Sequence, residues 1–134
     1  FNLNYQETSD TLPAFERMGL GGHGTVRGFR ENRWLKDSGL TVSLMLSAPL
    51  LEAGSQNDIA VRAMLFYDYG RGENSVAALN VDTEVSLRSA GFGLTADYQK
   101  LKFRIERALR LNNKDKLGNA LQDSGIHVGV TYEL

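Results

Sequence analysis

From Leu40 to the end of the chain, apolar and polar residues alternate with a period of two, the spacing that puts successive side chains on opposite faces of a β-strand. One row reads Leu40, Val42, Leu44, Leu46; Ile59, Val61, Ala63, Leu65, Tyr67, Tyr69; Ala90, Phe92, Leu94, Ala96, Tyr98; Leu101, Phe103, Ile105, Arg107, Leu109, Leu111; and Ile126, Val128, Val130, Tyr132, Leu134. Of these 26 residues 25 are apolar, against 5 of 22 in the opposite row, so five strands with one greasy and one wet face are predicted. A shorter sixth strand is expected at Phe1, Leu3 and Tyr5. Turn-rich stretches separate the strands at Leu50 to Asp58, Gly70 to Val85 and Asn112 to Ser124, and Gln99-Lys100 is short enough for a tight hairpin. Glu7 to about Asn32 reads as one long loop rich in glycine.

Alternation does not say which face is outside. In a soluble sheet the apolar row covers a core, whereas in a membrane barrel it meets lipid and the polar row lines a wet lumen. Several strands run to about ten residues, the length that crosses the hydrocarbon at a tilt. Tyr67, Tyr69, Tyr98 and Tyr132 stand near strand ends, where barrels carry aromatic girdles. Arg107 interrupts the apolar row, and at the membrane midplane a charge there costs about 2–4 kcal/mol. It is expected either to snorkel or to mark a shift of register.

Other classes are narrowed by what the chain contains. With 15 Lys and Arg against 16 Asp and Glu, spread without a basic run, nucleic-acid binding is not indicated. There is no cysteine, and His23 and His127 are too few to suggest a metal site. No apolar run reaches the length of a transmembrane helix, and Phe1-Asn2-Leu3-Asn4 does not open a signal peptide. Gly19, Gly21 and Gly24 have the spacing of a dinucleotide fingerprint, but Thr25 to Arg33 lacks helical periodicity, so no cofactor is expected. No nucleophile elbow, phosphate-binding loop or zinc-protease motif occurs. Asp68 and Asp97 could meet across strands, an arrangement read as wall chemistry and not as catalysis. No enzyme is read in the chain.

The segment Leu12 to Phe29 contains Val26-Arg27-Gly28-Phe29 preceded by Gly21-Gly22. Further on, Phe66-Tyr67-Asp68-Tyr69-Gly70 has the form Phe-x-Asp-x-Gly, Arg30-Glu31-Asn32-Arg33 and Asp37-Ser38-Gly39 follow the loop, and Leu121 to His127 leads into the last strand. In this order the motifs resemble the sixth extracellular loop and closing strands of the outer-membrane transporters of two-partner secretion. The resemblance implies an all-β fold, an antiparallel meander of five or six strands forming the C-terminal part of a sixteen-stranded outer-membrane barrel. Residues 6–33 would be the long loop folding into the lumen and 34–134 the last five strands. A signal peptide, periplasmic POTRA domains and the earlier strands would lie outside the chain, and the ending Tyr132-Glu133-Leu134 departs from the terminal aromatic residue of many such barrels.

By the same resemblance Arg27 would pair with Asp68 inside the lumen, with Arg62 beside it. Gly28 would allow a tight turn and Phe29 would pack on the inner wall, while Gly21, Gly22, Phe66 and Gly70 support the lock. The partner implied is a secreted exoprotein, passed through the outer membrane with no cofactor. A barrel assembly factor of the same superfamily is the nearest alternative, and a soluble sheet module that binds on its polar face is the alternative of another class. Five strands cut from a barrel leave open edges and an apolar face, so the isolated chain is expected to self-associate.

Overall fold

A computed structural model describes residues 1–54, 58–75, 83–112 and 121–134. Six strands form one antiparallel sheet: β1 (Asn2–Gln6), β4 (Ser38–Leu51), β5 (Ile59–Glu73), β6 (Glu84–Tyr98), β7 (Leu101–Arg110) and β8 (Ile126–Tyr132). They lie side by side in that order, each hydrogen-bonded to the next, and the sheet curls into a half-barrel. Two three-residue strands pair with each other across the loop: β2 (Met18–Leu20) lies within the segment read as one long loop, and β3 (Trp34–Lys36) lies just after it. Each is too short to show alternation.

The direction of the two rows follows from exposure. Leu46, Leu65 and Val128 of the apolar row are 76%, 63% and 72% exposed on the convex side. Met64, Phe66, Asp68, Thr95 and Glu106 of the polar row are buried on the concave side. A soluble sheet packs its apolar row inward; this sheet turns it outward, the arrangement of a membrane-barrel wall. No helix is long and apolar enough to cross a membrane, which has no bearing on strands.

Strand ends extend past the alternating residues. Gly70 to Val85 was expected to be a turn, yet β5 runs on to Glu73 and β6 begins at Glu84, with Glu73 opposite Glu84. The ladder continues where the greasy pattern stops because backbone pairing does not need apolar side chains, and Arg71 Nε meets Glu84 Oε1 at 3.0 Å across it. The centre of that connection, 76–82, and parts of the other two turn stretches, 55–57 and 113–120, fall outside the described residues. Tyr98 pairs with Leu101, so Gln99 and Lys100 make the tight hairpin, with Gln99 at φ 52°.

Arg107 causes no shift: it pairs in register with Phe92 on one side and Ile126 on the other, and stays exposed on the convex face. The irregularity lies instead between Pro49 and Leu51 of β4, where a proline without an amide hydrogen meets the end of the ladder. A compact cluster of Leu20, Val26, Phe29 and Leu87, flanked by Met18, Trp34 and Val85, packs the loop segment against the sheet. This cluster holds Val26 and Phe29 on either side of Arg27.

Candidate functional site

The polar row of β5 presents Phe66, Asp68 and Gly70 to the concave side at two-residue intervals, and the turn Val26-Arg27-Gly28 docks on them. Asp68, fully buried, receives a fork from Arg27: Nε donates to Oδ2 and Nη2 to Oδ1, both at 2.8 Å. The Arg27 backbone amide donates to the same Oδ2 at 3.1 Å, and Ser43 Oγ of β4 donates to Oδ1 at 2.7 Å. Ser43 also accepts from Arg27 Nη2 at 3.1 Å. Planar guanidinium and planar carboxylate match edge to edge, which fixes orientation as well as attraction.

Below the fork, the guanidinium carbon lies 3.5 Å from the centre of the Phe66 ring. Cation and π-face attract more strongly where water is excluded, and Arg27 is only 5% exposed. Gly70 completes the seat by absence: a Cβ there would stand 2.7 Å from Val26 Cγ2. Gly28 has φ +89°, a backbone that L side chains adopt at a cost, and its position lies over Ala108. Gly21 and Gly22 also have positive φ, and the turn is closed by the Gly22 amide donating to the Val26 carbonyl at 3.1 Å.

A second carboxylate stands opposite the first. Glu106 of β7 is 1% exposed; Arg27 Nη1 lies 3.5 Å from its Oε1, Arg104 Nη1 3.7 Å from the same oxygen, and His23 Nδ1 3.2 Å from Oε2. Arg27 therefore bridges β5 and β7. Beyond it, Arg30 makes a second fork, Nε to Asp123 Oδ1 at 2.9 Å and Nη2 to Oδ2 at 2.6 Å. Arg110 of β7 donates to the carbonyls of Gly28 and Asp123, and its guanidinium lies 5.3 Å from the Phe29 ring.

Of the residues singled out from sequence, Val26, Arg27, Gly28, Phe29, Phe66, Asp68 and Gly70 converge here, with Gly21 and Gly22 in the supporting turn. Arg62 shares the face of Asp68 but lies further along β5, opposite Pro49 and Thr95, exposed and away from the cluster. Asp68 and Asp97 do not meet: Asp68 is opposite Ser43 and Ser89, and Asp97 opposite Ala60 and Lys102. Their distance along the β5–β6 ladder keeps them apart. Sequence reasoning did not single out Ser43, Glu106, Arg110 or Asp123 as partners. Their place on the wet rows or in the Leu121 to His127 segment was the available signal. Among the described residues no three His, Asp or Glu side chains are arranged to hold a metal ion.

The root of the loop is tied separately. Asp37, between β3 and β4, is desolvated by burial, which opposes its ionisation. Hydrogen bonds from the Leu12 and Ser75 amides, each 3.0 Å, and Arg17 beside it at 3.0 Å outweigh that and hold its pKa below the usual carboxylate value. A lowered folded-state pKa contributes stability that is complete above the unfolded value of about 3.9 and is lost as pH falls through the folded value. The protection of the Leu12 and Ser75 amides against hydrogen exchange, measured relative to their intrinsic rates at each pH, is thus expected to hold down to about pH 4 and to fall below it. Loss of that protection already near neutral pH would refute this tie.

Comparison with known proteins bears on the same residues. Residues 1–96 match the family model described as haemolysin secretion/activation protein ShlB/FhaC/HecB, a stretch that includes the loop, Asp68 and most of the sheet. No curated protein and no solved structure matched the chain. The match extends over more than half of the chain and through both halves of the Arg27–Asp68 clasp, and the half-barrel has the wall that such a transporter needs, so the chain belongs to this family of two-partner secretion transporters.

Proposed function

We propose that the chain is the closing part of an outer-membrane barrel that exports one secreted exoprotein, and that the segment 6–33 is a lumenal latch fastened to the wall by Arg27. The observation that carries the reading is the buried fork between Arg27 and Asp68 on the polar, concave face of a sheet whose apolar row faces outward. Strands of 14 or 15 residues in β4 to β6 are long enough to cross a membrane at a tilt. The cluster's charges are matched guanidinium to carboxylate, which suits a fastening better than a reaction. On this reading Val26, Gly28 and Phe29 position the arginine, while Gly21, Gly22, Phe66 and Gly70 shape its seat. Arg62 has no part in it.

Secretion of the cognate exoprotein by the full-length transporter carrying Arg27→Ala is the test. Export is expected to fall severalfold while the outer-membrane level of the barrel stays normal. Unchanged export at normal abundance would remove Arg27 from the mechanism.

A related expectation concerns the chain by itself. In water, among the described residues, β1 and β8 each keep an unpaired edge and the convex apolar face is uncovered. Size-exclusion chromatography with light scattering is expected to give assemblies without detergent. A monodisperse monomer in plain buffer would contradict it.

A further inference from the structure

We propose that the convex face of β5 to β8 carries a site for one anionic phospholipid, with an acyl chain in an apolar hollow and the phosphate on Arg107. The inference rests on the barrel reading above, since it places this face against lipid.

The hollow lies between two outward rungs of the sheet. Ala63, Leu94 and Ile105 form one rung; Leu65, Phe92, Arg107 and Ile126 form the other. Between them runs the backbone of Met64, Gly93 and Glu106, whose side chains, where present, point to the concave side and are buried. Small Ala63 stands among large neighbours in the first rung. The resulting space is about 470 Å³ and is walled by carbon. Every strand that lines it except β8 has a neighbour on both sides, so the hollow belongs to the continuous wall and not to a cut edge.

Arg107 supplies the charge. Its pairing with Phe92 and Ile126 is in register, so its outward direction is built into the ladder. The outward rows of β5 to β8 hold two carboxylates, Glu73 and Glu84, both at the far end of the β5–β6 ladder, where Arg71 meets Glu84. No ion pair engages Arg107 among the described residues. A bare guanidinium on a lipid-facing wall is costly, by about 2–4 kcal/mol at the midplane. A lipid holds its phosphate at the interface, where the cost falls to about 0–1 kcal/mol; the long Arg107 side chain reaches towards that level and meets the phosphate through charge-assisted hydrogen bonds to its planar fork. The hollow beside it takes the chain that the same lipid carries, so acyl and anionic recognition coincide on one rung. Arg88, 5.8 Å from the Tyr69 ring, is another cation on this face, four residues from Phe92 along β6 and paired with Tyr69 in the β5–β6 ladder.

Full-length transporter in mild detergent, titrated with phosphatidylglycerol or phosphatidylcholine and weighed by native mass spectrometry, tests the site. One phosphatidylglycerol is expected to be retained selectively, and excess inorganic phosphate is expected not to displace it. Arg107→Leu should lower that retention about tenfold, the loss of one charge-assisted contact, and leave phosphatidylcholine adducts unchanged. Ala63→Phe, which fills the hollow but keeps the charge, should lower it comparably. Both substitutions sit on the lipid face and leave the buried cluster intact; resistance of the folded barrel to detergent checks this. Equal retention by wild type and Arg107→Leu overturns the proposal, as does loss on Arg88→Leu alone. Displacement by inorganic phosphate overturns the acyl half. A wild-type protein that retains neither lipid would count against the barrel reading itself.

Discussion

Asp68→Ala is expected to destabilise the seated loop by about 3–5 kcal/mol, because it leaves the Arg27 guanidinium buried against an apolar gap. Arg27 is 5% exposed and has its Nε, its Nη2 and its backbone amide on that one carboxylate. Glu106, 3.5 Å from Nη1, does not compensate, since its distance and direction give it a charge contact and no fork. Arg27→Ala is expected to cost less, because Asp68 keeps the Ser43 hydroxyl. The double substitution should fall well short of the sum of the two singles, with a coupling of about 1–3 kcal/mol. Denaturant midpoints of the detergent-solubilised full-length transporter, read by labelling of a cysteine placed in the loop, measure all three. Additive costs would show that the fork contributes nothing beyond two separate residues.

The second large effect concerns space. Gly70→Ala puts a methyl group 2.7 Å from Val26 Cγ2, inside any real carbon contact, with Leu20 and Thr41 closing the remaining sides at 3.6 and 3.7 Å. Overpacking of this kind costs about 1–3 kcal/mol, and Gly70→Val should exceed that and unseat the turn. Adding Val26→Ala removes the methyl group that Gly70→Ala strikes. The pair Gly70→Ala with Val26→Ala is therefore expected to recover most of the loop protection that Gly70→Ala loses, measured as protease resistance of the segment 12–30. If the second substitution deepens the defect, Gly70 serves the strand and not the docked valine.

These two effects also mark how far the chain could be read without coordinates. The period of two located every long strand, and the register then put Phe66 and Asp68 on one face with no further information, while Gly70 was assigned to the following turn and drew attention only through the Phe-x-Asp-x-Gly resemblance. Arg27 was recognisable from the company of Val26, Gly28 and Phe29. Its pairing with Asp68 was reached only through a family resemblance, because 41 residues separate them and nothing local announces the contact. Glu106 and Arg110 could be placed on the wet face of β7, but which loop atoms would reach them depends on the curl of the sheet, which no pattern encodes. The end of β5 from Gly70 to Glu73 and the start of β6 from Glu84 to Ser89 escaped because glycines and charges interrupt the alternation while the backbone ladder goes on. β2 and β3 escaped because three residues carry no period.

The two forks have a mechanical consequence. Arg27 is fixed to β5 and Arg30 to Asp123, just before β8, while the wall between them passes through β6 and β7. Three strand spacings measure roughly 14 Å along the sheet, and the short peptide from 27 to 30 with its two guanidiniums spans the same gap inside the curve. It is a chord drawn across an arc. With its ends tied, β5 and β8 cannot spread without breaking a fork, so the peptide sets the radius of this part of the wall. Cutting either tie frees the wall to open as well as the loop to leave.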